Sequence, residues 1–193
     1  MFQHPRLSHL ILESIVDDKV WFTYKARIQA QLRLARLDFH SQLLLVWYAI
    51  LGASLAVATI RYPHVLGKDT DILSAVLSIA LLGISMAVTN RDFRGRSIAM
   101  RKNYLDLQHL HDRLKQNGTT STADLDCYHE LLSSAENHLE IDDMLFRVLN
   151  ASTLTSRKPT CVETLKVYAY LFRRQAITLT LYLLPILIIW WIH

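Results

Sequence analysis

The chain has 193 residues, 51% of them apolar, with a formal charge of +4, 5 Gly, 4 Pro and 2 Cys. That is enough for one ordinary domain, but so little Gly and Pro argues against a loop-rich or all-β fold. Two cysteines are too few for a disulfide scaffold. Much of the apolar content is gathered in three uncharged runs instead of being spread at helical period, which sets aside an ordinary soluble domain.

Met1 to Val20 hold no apolar core longer than Leu10-Ile11-Leu12, so no cleavable signal peptide is expected. Residues 8–41 read as one long helix, with Pro5 and Ser8 as start signals. From Trp21 through Leu32, Leu34 and Leu37 it repeats apolar residues at steps of three and four between basic ones. It runs directly into the first apolar run, Leu43 to Ile60. A short link, Arg61 to Asp71, leads to the second run, Ile72 to Thr89. At 1.5 Å per residue these runs cover about 25–27 Å, the length a bilayer crossing needs.

A second helix is expected to continue out of the membrane over Arg91 to Lys115, with Asn117-Gly118 stopping it. A third is expected from Ala123 to Leu149, capped by Ser121 or Thr122. Thr160 and Glu163 fit a capping box that starts a last helix. That helix enters the third apolar run, Ala176 to Ile192, where Pro185 removes the hydrogen bond to the carbonyl of Leu181 and should kink it.

The expected fold is therefore all-α: an integral membrane protein with three transmembrane helices whose long extensions form a cytoplasmic helical bundle. Its segments are an N-terminal cytoplasmic amphipathic helix (1–42), a transmembrane hairpin (43–89), a cytoplasmic helical region (90–175) and a C-terminal transmembrane helix (176–193). Orientation follows from Lys and Arg near the spans. Arg27, Arg33 and Arg36 precede the first; Arg91, Arg94, Arg96, Arg101 and Lys102 follow the second; Arg173 and Arg174 precede the third. The outer link holds only Arg61 and Lys68, offset by Asp69 and Asp71. This places the N-terminus and the body inside and the C-terminus outside. Trp47, Tyr48, Trp190 and Trp191 suit interfacial anchors.

No catalytic signature is present. His109 and His111 are two apart and point to different faces of a helix, and His129 and His138 match no compact ligand pattern. The acidic group Glu140, Asp142 and Asp143 reads as a solvated face or as partners for the basic stretch. Cys127 and Cys161 are expected to be reduced thiols. No glycine-rich phosphate loop, nucleophile elbow or paired-cysteine zinc pattern occurs. The chain is thus not expected to be an enzyme or to need a cofactor or metal.

More informative are the polar residues within the spans. Ser74, Ser78 and Ser85 fall on one helical face, with Thr89 about 60° away. On the first span Gly52, Ala53, Ser54, Ala56 and Ala58 form a small-residue patch, with Gly52 and Ala56 at a close-packing step. These hydroxyls and small residues either mediate helix packing or line a water-filled path shared by several subunits. Two or three spans cannot enclose a pore alone, so conduction requires a homo-oligomer. The basic residues Arg27, Arg33, Arg91, Arg94, Arg96, Arg101 and Lys102 are explained by topology and anionic lipid. The competing ligand would be a phosphate-bearing molecule or nucleic acid, and direct nucleic-acid binding is not expected.

The order of these features resembles the SLATT family of two-transmembrane effectors from bacterial conflict systems. The resemblance rests on W-x-x-Y-x-x-R (Trp21, Tyr24, Arg27), two close spans, and N-Y-x-x-L-Q-x-L from Asn103 to Leu110. The third span resembles the subset with an extra C-terminal membrane segment. The resemblance implies a membrane effector in the bacterial inner membrane, acting in anti-phage defence. Such an effector would oligomerise into a pore or disrupt the membrane, ending in depolarisation and abortive infection. Its implied partners are membrane lipid, further copies of itself, and a nucleotide second messenger, nucleotidyltransferase or reverse transcriptase system. The alternative is a non-conducting, membrane-anchored scaffold for a cytoplasmic defence protein.

Overall fold

The computed structural model describes the backbone of residues 4–192 and the side chains of residues 16–188 and of Trp190. All regular elements among them are helices: α1 (His4–Arg61), α2 (Thr70–Arg91), α3 (Phe93–Asn117), α4 (Thr122–Ser133), α5 (Glu140–Leu149) and α6 (Cys161–Ile192). Three of these helices are long and apolar enough to cross a membrane, and none of the residues in their most apolar stretches is buried within the chain. The protein is an all-α membrane protein.

α1 is a single helix of 58 residues. It is already helical at His4, so Ser8 lies inside it and not at its start. Between Pro5 and Gly52 it meets neither proline nor glycine, the residues that most strongly interrupt a helix. Pro63 follows its end and cannot continue it. The turn to α2 is tied by Thr70, whose hydroxyl donates to the Gly67 carbonyl at 2.6 Å and accepts from the Leu66 N–H at 3.1 Å.

Two expected helices are interrupted where the periodicity runs on. The helix expected to run on from the second span is interrupted at Asp92, which takes a left-handed φ of 41° while its N–H reaches the Thr89 carbonyl at 3.2 Å. Asp tolerates that conformation better than most residues. α3 therefore begins afresh at Phe93 and ends at Asn117, where Gly118 (φ 64°) caps it as expected. The helix expected over Ala123 to Leu149 is two helices, α4 and α5, parted at residues 134–139. Asp142 starts α5 by accepting the Leu139 N–H at 2.9 Å. The expected N-terminal caps are present elsewhere. Ser121 and Asp124 form a capping box on α4, and Thr160 and Glu163 exchange hydrogen bonds at the head of α6.

The chain divides into two compact units. The first holds α1 up to Ala35 and the stretch Arg94–Tyr168. Its core joins Val20 and Tyr24 of α1 to Leu107, Leu110 and Leu114 of α3, with Cys127, Tyr128 and Leu131 of α4 packed against them. A second cluster sets Phe22 against Phe146 and Leu154, with Trp21 beside them. Trp21 meets Phe22 and Phe146 edge to face at 4.8 and 5.3 Å between ring centres, the favoured aromatic arrangement.

The second unit holds Arg36–Phe93 and the chain from Ala169 onward, and so contains the three apolar runs. Within it Tyr48 of α1 donates to the Leu181 carbonyl of α6 at 2.8 Å, and His40 lies 3.4 Å from the Tyr182 hydroxyl. Tyr48 is thus bonded to a neighbouring helix in addition to any role at the membrane surface.

Candidate functional site

In the first unit the basic residues do not form one face. Arg27 is fully buried, Arg33 and Arg96 are half-buried, and Arg94, Arg101 and Lys102 are exposed. The Arg33 guanidinium forks onto Asp142, Nε to Oδ1 at 2.9 Å and Nη2 to Oδ2 at 3.0 Å. Arg96 forks in the same way onto Glu136, both bonds at 3.0 Å. These bidentate pairs fix geometry as well as charge. Of the acidic group near α5, Asp142 is buried and Asp143 half-buried, and only Glu140 is open to solvent. Asp143 accepts from Arg147 at 2.9 Å, and Arg147 also forks onto Glu163. Asp142 and Asp143 are therefore taken up by arginines of their own unit.

Arg27 has an unusual setting. Its Nη1 donates to the Asn103 side-chain oxygen and to the Leu131 carbonyl at 3.1 Å, and its Nη2 donates to the Leu132 carbonyl at 3.2 Å. Asn103 also donates to the Leu131 carbonyl, at 2.6 Å, and to the Ser134 hydroxyl at 2.8 Å. Leu131 and Leu132 belong to the last turn of α4, whose carbonyls lack helical partners and carry the negative end of the helix dipole. The buried cation is thus matched by a helix terminus. Burial pulls its pKa below the ordinary arginine range, yet a guanidinium stays charged in a protein.

The residues that carry the family resemblance meet here. Trp21 lies at the aromatic cluster, Tyr24 packs with Leu107 and Leu110, and Arg27 bonds Asn103. The pattern holds α1, α3 and α4 together and presents no reactive group. Among the described residues no three His, Cys, Asp or Glu side chains gather as a metal-holding group. Asn103 and the α4 carbonyls were not foreseen as Arg27's partners; the one hint in the sequence is that Asn103 opens N-Y-x-x-L-Q-x-L.

In the second unit the hydroxyl stripe of α2 straddles the edge of that helix's covered side. Ser74 and Ser85 are half-buried, whereas Ser78 and Thr89 are exposed. The Ser78 and Thr89 hydroxyls donate to the carbonyls of Ser74 and Ser85 four residues back, both at 2.9 Å, a common arrangement for hydroxyls on apolar helices. Ser54 on α1 is exposed, as are Gly52 and Ala56, and a Cβ added at Gly52 would meet nothing within 4 Å. Of the small-residue patch, Gly52, Ala53, Ser54 and Ala56 are therefore open, and only Ala58 is half-buried. Arg91 is exposed at the last turn of α2.

Three membrane helices joined to an arginine-laced helical unit define a polytopic helical membrane protein. Residues 12–192 match the family model described as SMODS and SLOG-associating 2TM effector domain family 5, and the chain belongs to that family of membrane effectors. The match extends through α6, so the third apolar helix is part of the family domain and not an appendage to it. No curated protein and no solved structure matches the chain.

Proposed function

We propose that the chain acts by changing membrane permeability: copies assemble in a bacterial inner membrane and open a conducting path when a defence partner or nucleotide signal engages the helical unit. In this reading the unit containing Arg94–Tyr168 lies on the cytoplasmic side and the end of α6 on the other, which the distribution of Lys and Arg supports. The chain is not an enzyme in this reading, and it uses no cofactor.

The supporting observation is the α2 stripe. Ser78 and Thr89 stand open on a helix whose most apolar stretch has no residue buried by its own chain. Hydroxyls facing lipid gain little, while hydroxyls of several copies facing one another can hold water. A second reading, a non-conducting anchor for a defence protein, draws on Ile98 and Leu149, large apolar side chains exposed on the cytoplasmic unit.

Induced expression in a bacterium, with growth and membrane potential followed together, separates the two. The pore reading predicts collapse of the potential before or with growth arrest. A steady potential with a co-purifying cytoplasmic protein would establish the anchor instead.

A further inference from the structure

α6 has two apolar faces below the membrane. One is committed to its own unit: Val167 is fully buried and Glu163 is paired with Arg147. The other is bare. Val162 is 64% exposed, Leu165 71% and Phe172 76%, with Ala169 open between them. These four positions step by three, four and three residues. The same alternation runs on without a polar residue through Leu179 and Leu183 to Trp190. An apolar stripe repeating every 3.5 residues over about four heptads is the pattern of a helix that packs against another helix along its length.

Lipid cannot cover all of it. Leu165 and Val162 lie 11 and 14 residues before the apolar run begins at Ala176, about 16 and 21 Å along a helix. The headgroup layer on one side of a bilayer is only about 5–8 Å deep. Even a tilt of about 40° leaves both side chains beyond it. Outside the membrane they face water unless protein covers them.

We infer that the exposed face of α6 pairs with the same face of a second copy of this chain, as a parallel, in-register coiled coil that begins below the membrane and continues through it. The occupant follows from the geometry. Copies in one membrane share orientation and depth, so their α6 helices meet parallel and level, and each seam position meets itself. The flanks suit this as well. In a parallel pair Tyr168 of one helix stands opposite Arg173 of the other, a cation beside an aromatic ring. The proposal needs α6 to lie in the membrane but does not need the assembly to conduct.

The test is oxidative cross-linking of the full chain in native membranes, in a background with Cys127→Ser and Cys161→Ser. Leu165→Cys and Phe172→Cys sit on the seam. Gln175→Cys sits on the same helix, roughly 80° from the seam's midline, and reports random collision. A disulfide-linked dimer at 165 and at 172, well above that at 175, is the expected result. Adding Val162→Lys should abolish the dimer at 172 while the protein stays in the membrane. Equal dimer at 165 and 175, or membrane-inserted protein with no dimer at 165 and 172, overturns the inference. Cross-linking without depolarisation would uphold the seam and remove the pore reading; depolarisation without cross-linking would do the reverse.

Discussion

The hydroxyl of Tyr48 donates to the carbonyl of Leu181 at 2.8 Å, and Leu181 is the residue whose carbonyl Pro185, lacking an N–H, cannot bond. Each lies five residues into its own apolar run, so the two arrive at matching depth along their helices. In hydrocarbon no water is available for that carbonyl, and an unsatisfied backbone group there costs several kcal/mol. α1 thus supplies the bond that the proline removes from α6. Tyr48→Phe should destabilise the protein in detergent by about 1 kcal/mol. In a Pro185→Ala background, where residue 185 has its own N–H, the same change should cost clearly less. Equal losses in both backgrounds, read by thermal or SDS unfolding, would contradict this pairing.

Arg27 gives a second prediction. Its fork reaches two α4 carbonyls and Asn103 at once, which an ammonium cannot reproduce. Arg27→Lys should cost about 2 kcal/mol and loosen the end of α4. Arg27→Ala should cost more, since it also leaves a cavity in a buried site. The readouts are the melting temperature and protease cleavage within residues 134–139. Wild-type resistance in both variants would show that the carbonyls do not depend on Arg27.

Acid should weaken the first, helical unit in two stages. The His138 pKa is lowered from 6.5, chiefly by burial and then by nearby Arg27. Its neutral form is favoured in the fold, so stability is complete above 6.5 and declines as pH falls through that value. Glu163, on α6 well before the apolar run, is lowered from 4.5 to about 2, first by its hydrogen bonds from Arg147 and then by the Thr160 N–H. Its contribution is present above 4.5 and is lost as pH falls toward 2. Glu163→Gln should therefore be less stable than wild type at neutral pH, with the gap closing as pH approaches 2. A gap constant across that range, measured by thermal unfolding against pH, would refute the assignment.

Ser78 tests what the α2 stripe faces. Ser78→Leu should reduce the depolarisation that follows induction, because it places an apolar side chain where water would pass. Unchanged depolarisation, with expression and assembly intact, would assign the stripe to helix packing.

The membrane helices were legible because long uncharged runs have few other uses, and the caps at Ser121, Thr160 and Gly118 were legible because they are local. What escaped is long-range or depends on a single residue. The break at Asp92 turns on one left-handed residue in a run that otherwise continues the helical phase. Where α4 parts from α5, the freed carbonyls are taken by Arg27 and Asn103, which are distant from them in sequence. Arg27, Arg33 and Arg96 read as a basic surface because charge alone does not reveal a partner distant in sequence. The sequence pattern Trp21, Tyr24, Arg27 and Asn103 pointed to the family. Only the fold shows that those residues bind one helix to the next.

Three crossings with the helical unit on the inner side are tested most directly by sided cysteine labelling. Cys161 is exposed at the first residue of α6, and Trp190 is exposed near its far end. With Cys127 replaced by serine, a membrane-impermeant maleimide should reach Trp190→Cys, in a Cys161→Ser background, from outside intact cells. It should reach Cys161 only after permeabilisation. Labelling of both positions from the same side would mean that α6 does not cross, and the three-span account would fail.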